Sequence, residues 1–314
     1  TQYTLNDVVN ELKKQNQTLN TLSLELKEEL ALTIFSVFKK SGGKSGSKAA
    51  GVPNIGGSTG REEEDEGESD SKGSTSLRGS IKEFAKGFKE AYDQFVMGGW
   101  QGLSYPEEFG GQGLPMSLNL IKSEMMGTAN WSFTMYPGLS SGCMNTILQF
   151  GTDEQKQTYM PKLVEGTWSG TMCLTEPQCG TDLGQVKTKA EPQADGTYKI
   201  TGTKIFISAG EHDLTENIIH IVLARLPDAP AGTRGISLFI VPKFMPTADG
   251  GVGERNTVTC GSIEHKMGIR ASATAVLNFD NATGYLIGEV NKGLHAMFTF
   301  MNTARIGTAV QGIA

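Results

Sequence analysis

Apolar positions in the opening segment recur at heptad spacing, with Leu5, Leu12, Leu19 and Leu26 on one line and Val8 or Val9, Leu22, Leu30 and Val37 near the complementary one. Such recurrence keeps one stripe of a helix apolar, so the pattern predicts an amphipathic helix over 1–38, as a short coiled coil or as one helix on a neighbour. Gln15 and Asn16 break the seam midway. From Lys39 to Ser80 large apolar residues nearly vanish and Gly, Ser and charge take over, so 39–80 reads as a linker unable to bury enough surface to order itself. The GGKS at 42–45 is not a phosphate loop, because Phe38 stands where the first glycine of such a loop belongs and no strand precedes it. The acidic run Glu62 to Glu68 lacks the ligand alternation of a calcium loop and reads as solvated chain.

After Ser80 the pattern becomes that of a folded protein. Ile81, Phe84, Ala85, Phe88, Tyr92, Phe95 and Val96 recur at helical spacing and predict a helix that stops at Gly98-Gly99. Two further helices are expected over Met116–Thr128 and Ser140–Phe150. Thr152-Asp-Glu-Gln155 has the form of a capping box and starts a fourth, ending near Leu163. From Trp168 the period shortens: Trp168 to Leu174, Thr197 to Ile207, Ile218 to Ala224, Gly235 to Val241, Val258 to Ile263 and Ala273 to Phe279 are β-branched or aromatic runs between turn residues. Asn291 to Ile313 returns to helical spacing. The fold expected is α+β, with an N-terminal helical domain at 81–166, a central antiparallel β-barrel or sandwich domain at 167–288, and the first helix of a C-terminal bundle at 289–314.

Composition narrows the function classes. A chain of 314 residues has room for about two domains. Its net charge of −6 argues against nucleic acid as the main partner. The apolar run Ile218 to Ala224, broken by His220, is far shorter than the roughly 20 residues of a membrane span. Cys143, Cys173, Cys179 and Cys260 match no zinc or redox motif and no leader opens the chain, so buried thiols in a reducing cytoplasm are expected, with no metal site.

Two strand ends carry candidate chemistry. In Thr171 to Gly184 a strand runs into Thr175-Glu-Pro and Gly180-Thr-Asp, placing hydroxyls and free backbone N–H groups on one loop. That suits a flat heteroaromatic ring or a phosphate, and equally an ordinary turn. In Lys204 to Gly210, Phe206 offers a ring face and Ser208 a hydroxyl. Glu211-His212-Asp213 reads as an exposed loop, since adjacent residues do not converge on one point. His220 lies in an apolar strand, His265 is expected to shape a turn, His295 to sit in the core or a subunit contact, and Trp100 and Trp131 to core the helical domain.

Six motifs in order resemble acyl-CoA dehydrogenases, closest to the longer bacterial subfamily typified by 3-methylmercaptopropionyl-CoA dehydrogenase: GGWQGLSYPEEFGGQGLP (98–115), NWSFTMYPGLSSG (130–142), GTMCLTEPQCGTDLG (170–184), ITGTKIFISAGEHD (200–213), SIEHKMGIRASATAVLNFD (262–280) and NKGLHAMFTFMNTARIG (291–307). Residues 1 to about 80 do not resemble the family's usual N-terminus. The resemblance implies FAD-dependent α,β-dehydrogenation of an acyl-CoA thioester, with an electron-transfer flavoprotein as acceptor and a homodimer or tetramer as the assembly. It implies that Met172, Cys173, Leu174, Thr175, Gly180, Thr181, Phe206, Ile207 and Ser208 bind FAD. Thr175 would bond the pyrimidine side, Ser208 would lie near N5, and Phe206, tryptophan in many relatives, would pack on the ring.

Thr181 would also face the CoA portion, while Asn302, Thr303, Ala304 and Arg305 would line the thioester channel. Gln178 and Cys179 depart from a small Gly-Ala pair common in shorter relatives, and Glu176 is implied to be a structural loop carboxylate. The family's base is a glutamate, which in some relatives precedes the arginine matching Arg305; here that place is Ala304. The base is therefore expected beyond Ala314, with no catalytic residue in this chain and no activity from it alone. The rival readings are an acyl-CoA oxidase or nitroalkane oxidase of the same fold, and a non-catalytic interaction protein.

Overall fold

The structure, a computed structural model, describes residues 87–314, and the expected heptad helix, the linker and residues 81–86 of the next helix lie outside them. Helix α1 occupies 87–97 and stops at Gly98-Gly99, where Gly99 takes φ 66°. Helix α2 (Met116–Phe150) covers what the sequence divides into two. It is broken at Asn130 (φ −163°, ψ 102°), whose side-chain oxygen accepts from Phe133 N at 3.1 Å and so caps the second half. That half starts well before the expected Ser140, directly after the Asn130 cap, and its hydroxyls bond back onto the helix. Thr134 donates to Asn130 O at 3.1 Å, Ser140 to Tyr136 O at 3.1 Å and Thr146 to Gly142 O at 2.8 Å. Helix α3 (Asp153–Glu165) opens with both bonds of the capping box and ends at Gly166 (φ 91°).

The strands are β1 (Trp168–Cys173), β2 (Lys189–Pro192), β3 (Tyr198–Ser208), β4 (Asn217–Arg225), β5 (Ile236–Pro242), β6 (Phe244–Pro246), β7 (Val252–Arg255), β8 (Val258–Ile263) and β9 (Thr274–Ile287). Helix α4 (Gly293–Gln311) follows. The main sheet is mixed rather than antiparallel throughout. β1 runs parallel to β4, with Trp168 opposite Asn217 and Cys173 opposite Val222, because the chain passes through β2 and β3 before returning beside β1. β4, β5, β9, β3 and β2 then pair in turn, and β2 meets β4 again only through Lys189 and Arg225. The sheet thus turns over on itself in two layers, as a sandwich. β2 and the separate β6–β7 ribbon were not expected from the sequence; they are short, and proline interrupts two of them.

β4 (NIIHIVLAR) shows why the layers hold together. It is buried on both faces and therefore reads as a continuous apolar run. Ile219, Ile221 and Leu223 join Met144, Ile147, Met160, Leu163, Trp168, Met297 and Phe300 between sheet and helices. Val222 and Ala224 join Cys173, Ile200, Phe239 and Leu277 between the two layers. A fully buried side chain of this size contributes about 1.5–3 kcal/mol. α2 lies so close to β1 that a Cβ on Gly170 would sit 2.2 Å from that of Cys143. Among the described residues no helix is long and apolar enough to cross a membrane, and no group of His, Cys, Asp and Glu is placed to hold a metal ion. Cys143, Cys173 and Cys179 are buried and Cys260 half-buried, all as free thiols.

Candidate functional site

β1 and β3 end side by side, and three hydrogen bonds fix their outlets together. Thr171 Oγ1 donates to Ser208 O at 2.8 Å, Ile205 N to Thr175 O at 2.9 Å, and Lys204 Nζ to Leu174 O at 3.1 Å. The register of β3 against β9 breaks between Lys204 and Ile207, and in that break Phe206 takes φ 59°. A left-handed conformation costs a residue with a Cβ about 1–2 kcal/mol, and Ala209 (φ 53°) repeats it three positions later. Strain of this kind persists where the surroundings over-determine it, and irregularities of a strand re-aim side chains beside functional sites. Here the break sends Ile207 into the inner core and leaves Phe206 59% exposed.

Three hydroxyl residues lie on the same two segments as Phe206, the loop after β1 and the end of β3. The side chains of Thr175 and Ser208, both half-buried, and of exposed Thr181 have no hydrogen-bond partner among the described residues. Gly180 lies against Thr175, where an added Cβ would come within 3.1 Å of Thr175 Cγ2.

Beneath the loop sits a buried carboxylate. Glu176 accepts from Lys204 Nζ at 2.8 Å, Thr188 Oγ1 at 2.6 Å, Thr188 N at 3.0 Å and Lys187 N at 2.8 Å, and Gln178 Nε2 completes the set. Burial alone would push its pKa up, but the Lys204 ammonium and these donors outweigh it and hold the carboxyl down at about 2. Glu176 is thus a permanent anion locked to its counter-ion. It is the structural loop carboxylate expected from the sequence.

Two family models match the chain: the acyl-CoA dehydrogenase N-terminal domain over residues 79–167 and the acyl-CoA dehydrogenase middle domain over 171–282. The chain belongs to the acyl-CoA dehydrogenase family. It is 55% identical over 229 residues to the 3-methylmercaptopropionyl-CoA dehydrogenase of Ruegeria pomeroyi, a match covering 73% of this chain and 39% of that protein. It therefore spans about two fifths of the length of that curated relative. Among solved structures it is similar to an acyl-CoA dehydrogenase of Bacillus anthracis complexed with FAD (29% identity, TM-score 0.60, 72% of this chain and 36% of that one). It is also similar to a chain solved in work on the electron transferring flavoprotein of Acidaminococcus fermentans and flavin-based electron bifurcation (31% identity, TM-score 0.62, 71% and 56%).

Within this acyl-CoA dehydrogenase chain the residues expected at a flavin are brought together in part. Thr175, with Gly180 against it and Thr181 next along the loop, lies beside Ile205 and so next to Phe206, while Ser208 ends β3 against Thr171 of β1. The side chains of Met172 and Leu174 pack against the helical core, and those of Cys173 and Ile207 point into the inner core, so these four would meet a ligand through their backbone. Asn302 to Arg305 lie on α4, which packs on α2 and β5, and no hydrogen bond joins them to the strand ends. Thr303 Oγ1 accepts from Asn145 at 3.0 Å, while Arg305 donates to Asn302 Oδ1 at 2.8 Å on the exposed face.

Other expectations change. His212 is not part of a fully exposed loop: its Nε2 lies 3.1 Å from Ser169 Oγ and its ring meets Tyr136 edge-on at 5.0 Å. Of the two places expected for His295, the core is excluded, since it is exposed against Phe150, a position that leaves a subunit contact open to it. Trp100 is buried and Trp131 half-buried. The sequence reading missed Lys204 as the partner of Glu176. The signal was present, since Lys204 falls on the inward line of β3 with Ile200, and a lysine at such a position is almost always paired.

Proposed function

We propose that this chain supplies the flavin-ring and thioester-facing surfaces of an enzyme that oxidises the α,β bond of an acyl-CoA using FAD. The helical region 81–166 and the β region 167–288 form its body, and 289–314 is the first helix of a further bundle. The observation that carries the reading is the pairing of the β1 outlet with the end of β3, which puts two unpartnered hydroxyls, Thr175 and Ser208, on adjoining segments with an aromatic ring that β3 holds outward in a strained conformation. These residues fit a flavin. Thr175 and Ser208 offer polar contacts to the edge of a flat heteroaromatic ring, Phe206 a face to pack on, and Gly180 the absence of a side chain beside Thr175. Bound FAD supplies the acceptor for the two electrons leaving the acyl chain.

Thr181, exposed on the same loop, is assigned to the thioester side, and Asn302, Thr303, Ala304 and Arg305 to the channel leading to it. Glu176 takes no part as a base, because its oxygens are engaged and its pKa near 2 leaves it no affinity for an α-proton. Ala304 has no group that accepts a proton, so that role is assigned to a carboxylate outside the described residues. We place the enzyme in the cytoplasm as a homodimer or tetramer that passes electrons to an electron-transferring flavoprotein, in keeping with the flavoprotein studied alongside one similar chain.

The test is to titrate FAD into the 314-residue chain and follow quenching of flavin fluorescence. Wild type binds, and Phe206→Gly binds about tenfold more weakly, the loss expected for one aromatic packing contact. Urea stability of that variant stays equal or rises, because glycine accepts φ 59° without strain. A wild-type chain that leaves FAD fluorescence unchanged ends this reading.

A further inference from the structure

The strained corner of β3 is held from behind by a polar chain that no functional assignment above uses. Tyr136, on the second half of α2, donates its hydroxyl to Ala271 O at 3.0 Å and accepts from Ala273 N at 3.0 Å. Ala273 O in turn accepts from Ala209 N at 2.7 Å. The Tyr136 ring stands edge-on against His212, the third residue after Ala209. His212 Nδ1 accepts from Leu214 N at 3.2 Å, which fixes the proton on Nε2. Nε2 then donates to Ser169 Oγ at 3.1 Å, Ser169 to Thr215 Oγ1 at 3.0 Å, and Thr215 to Asn217 O at 2.9 Å. Every donor in the series has an acceptor. Burial, and then the nearby Lys243 charge, keep His212 neutral by bringing its pKa down to about 3, so the series keeps one direction across the physiological range.

This arrangement is more than the sheet requires. The ends of β3 and β9 already pair through Ser208 and Thr274, yet Thr171 of β1 also bonds Ser208 O, and Ala273 O, the acceptor for Ala209 N, belongs to a segment that Tyr136 of α2 clamps at Ala271 and Ala273. Non-glycine residues at φ 59° and 53° return to ordinary conformations when released, and Phe206 and Ser208 would then change direction. We propose that Tyr136 and His212 are positioning residues, which hold the Phe206–Ala209 corner in the shape that presents Phe206 and Ser208 to the flavin. The inference rests on the flavin reading above. The helical block and the flavin-facing strand end are then coupled through a tyrosine hydroxyl and an imidazole edge.

The experiment has two arms. In the first, site-resolved hydrogen exchange is measured on the ligand-free 314-residue chain. In Tyr136→Phe the amides of Ala209 and Ala273 exchange at least tenfold faster than in wild type, while Val222 and Phe239, in the core of β4 and β5, keep their rates. Unchanged exchange at Ala209 overturns the proposal, as does an equal rise in both regions, which would make Tyr136 a general support of the fold. In the second arm FAD is titrated into Tyr136→Phe, His212→Ala and His212→Gln. The first two bind about tenfold more weakly, and His212→Gln, which keeps a donor near the Nε2 position, recovers most of the loss. Wild-type affinity in Tyr136→Phe and His212→Ala overturns the proposal. A wild-type chain that takes up no FAD ends the flavin reading instead, and exchange measured on Tyr136→Phe and His212→Ala, at Ala209 against Val222 and Phe239, then decides whether these two residues hold the corner.

Discussion

Replacing Lys204 by methionine removes the charge beneath the loop that follows β1 while keeping most of the apolar stem. Glu176, only 3% exposed, would retain Lys187 N, Thr188 N and Thr188 Oγ1 as donors but lose its counter-ion. Breaking a buried ion pair from one side costs about 3–5 kcal/mol. The carboxyl's own titration leads to a similar figure: moving its pKa from 4.5 to about 2 corresponds to about 3 kcal/mol of preference for the ionised form in the fold. Because the native value lies below the unfolded one, that stabilisation is complete above pH 4.5 and is lost as the pH falls toward 2. Urea unfolding of wild type and Lys204→Met should therefore differ by about 3 kcal/mol at pH 7 and by about 1 kcal/mol at pH 3. Adding Glu176→Gln to Lys204→Met should recover much of the loss, since no unpaired charge then remains buried. A gap below about 1 kcal/mol at pH 7, or one identical at both pH values, would refute the reasoning.

Two further outcomes are expected from the rest of the fold. His220 is fully buried in β4 and neither ring nitrogen has a partner among the described residues, so His220→Leu should raise stability by about 1–3 kcal/mol at pH 7. Burial, then Lys243 and His212, bring the His220 pKa down to about 3, so wild type loses stability as the pH falls from about 6.5 toward 3 and the leucine variant loses less; urea midpoints across that range check both statements. Asn130→Ala should lower stability by about 1 kcal/mol through the lost cap inside α2, and an unchanged midpoint would count against a capping role.

Much of the architecture was legible in local pattern. The capping box at Thr152 fixed the start of α3, and β-branched runs located β1, β3, β4, β5 and β8 to within a residue or two, because β1, β4 and β5 are buried almost throughout and turn residues bound all five. The joining of α2 was hidden because Ser, Thr and Pro inside its second half carry weak helical preference, and their hydroxyl bonds to the preceding turn appear only in three dimensions. The parallel β1–β4 pairing depends on a long-range return of the chain that no window of sequence contains. At the site, Thr175, Phe206 and Ser208 stood out as residue types at strand ends. The left-handed turn at Phe206, the burial of Lys204 and the polar contacts of His212 each depend on partners distant in sequence.

The placement of β9 bears on how the chain is made. It pairs with β3, β5 and β8, and its residues come after all three in synthesis order. A ribosome adding about 5–20 residues per second needs roughly 5–20 s between Tyr198 and Ile287. Through that interval β3, and from about its midpoint β5, lacks the neighbour that later covers it. The nascent β layer therefore presents unpaired edges until one late strand arrives, and the segment 274–287 governs how long this chain is open to wrong pairings or to a chaperone.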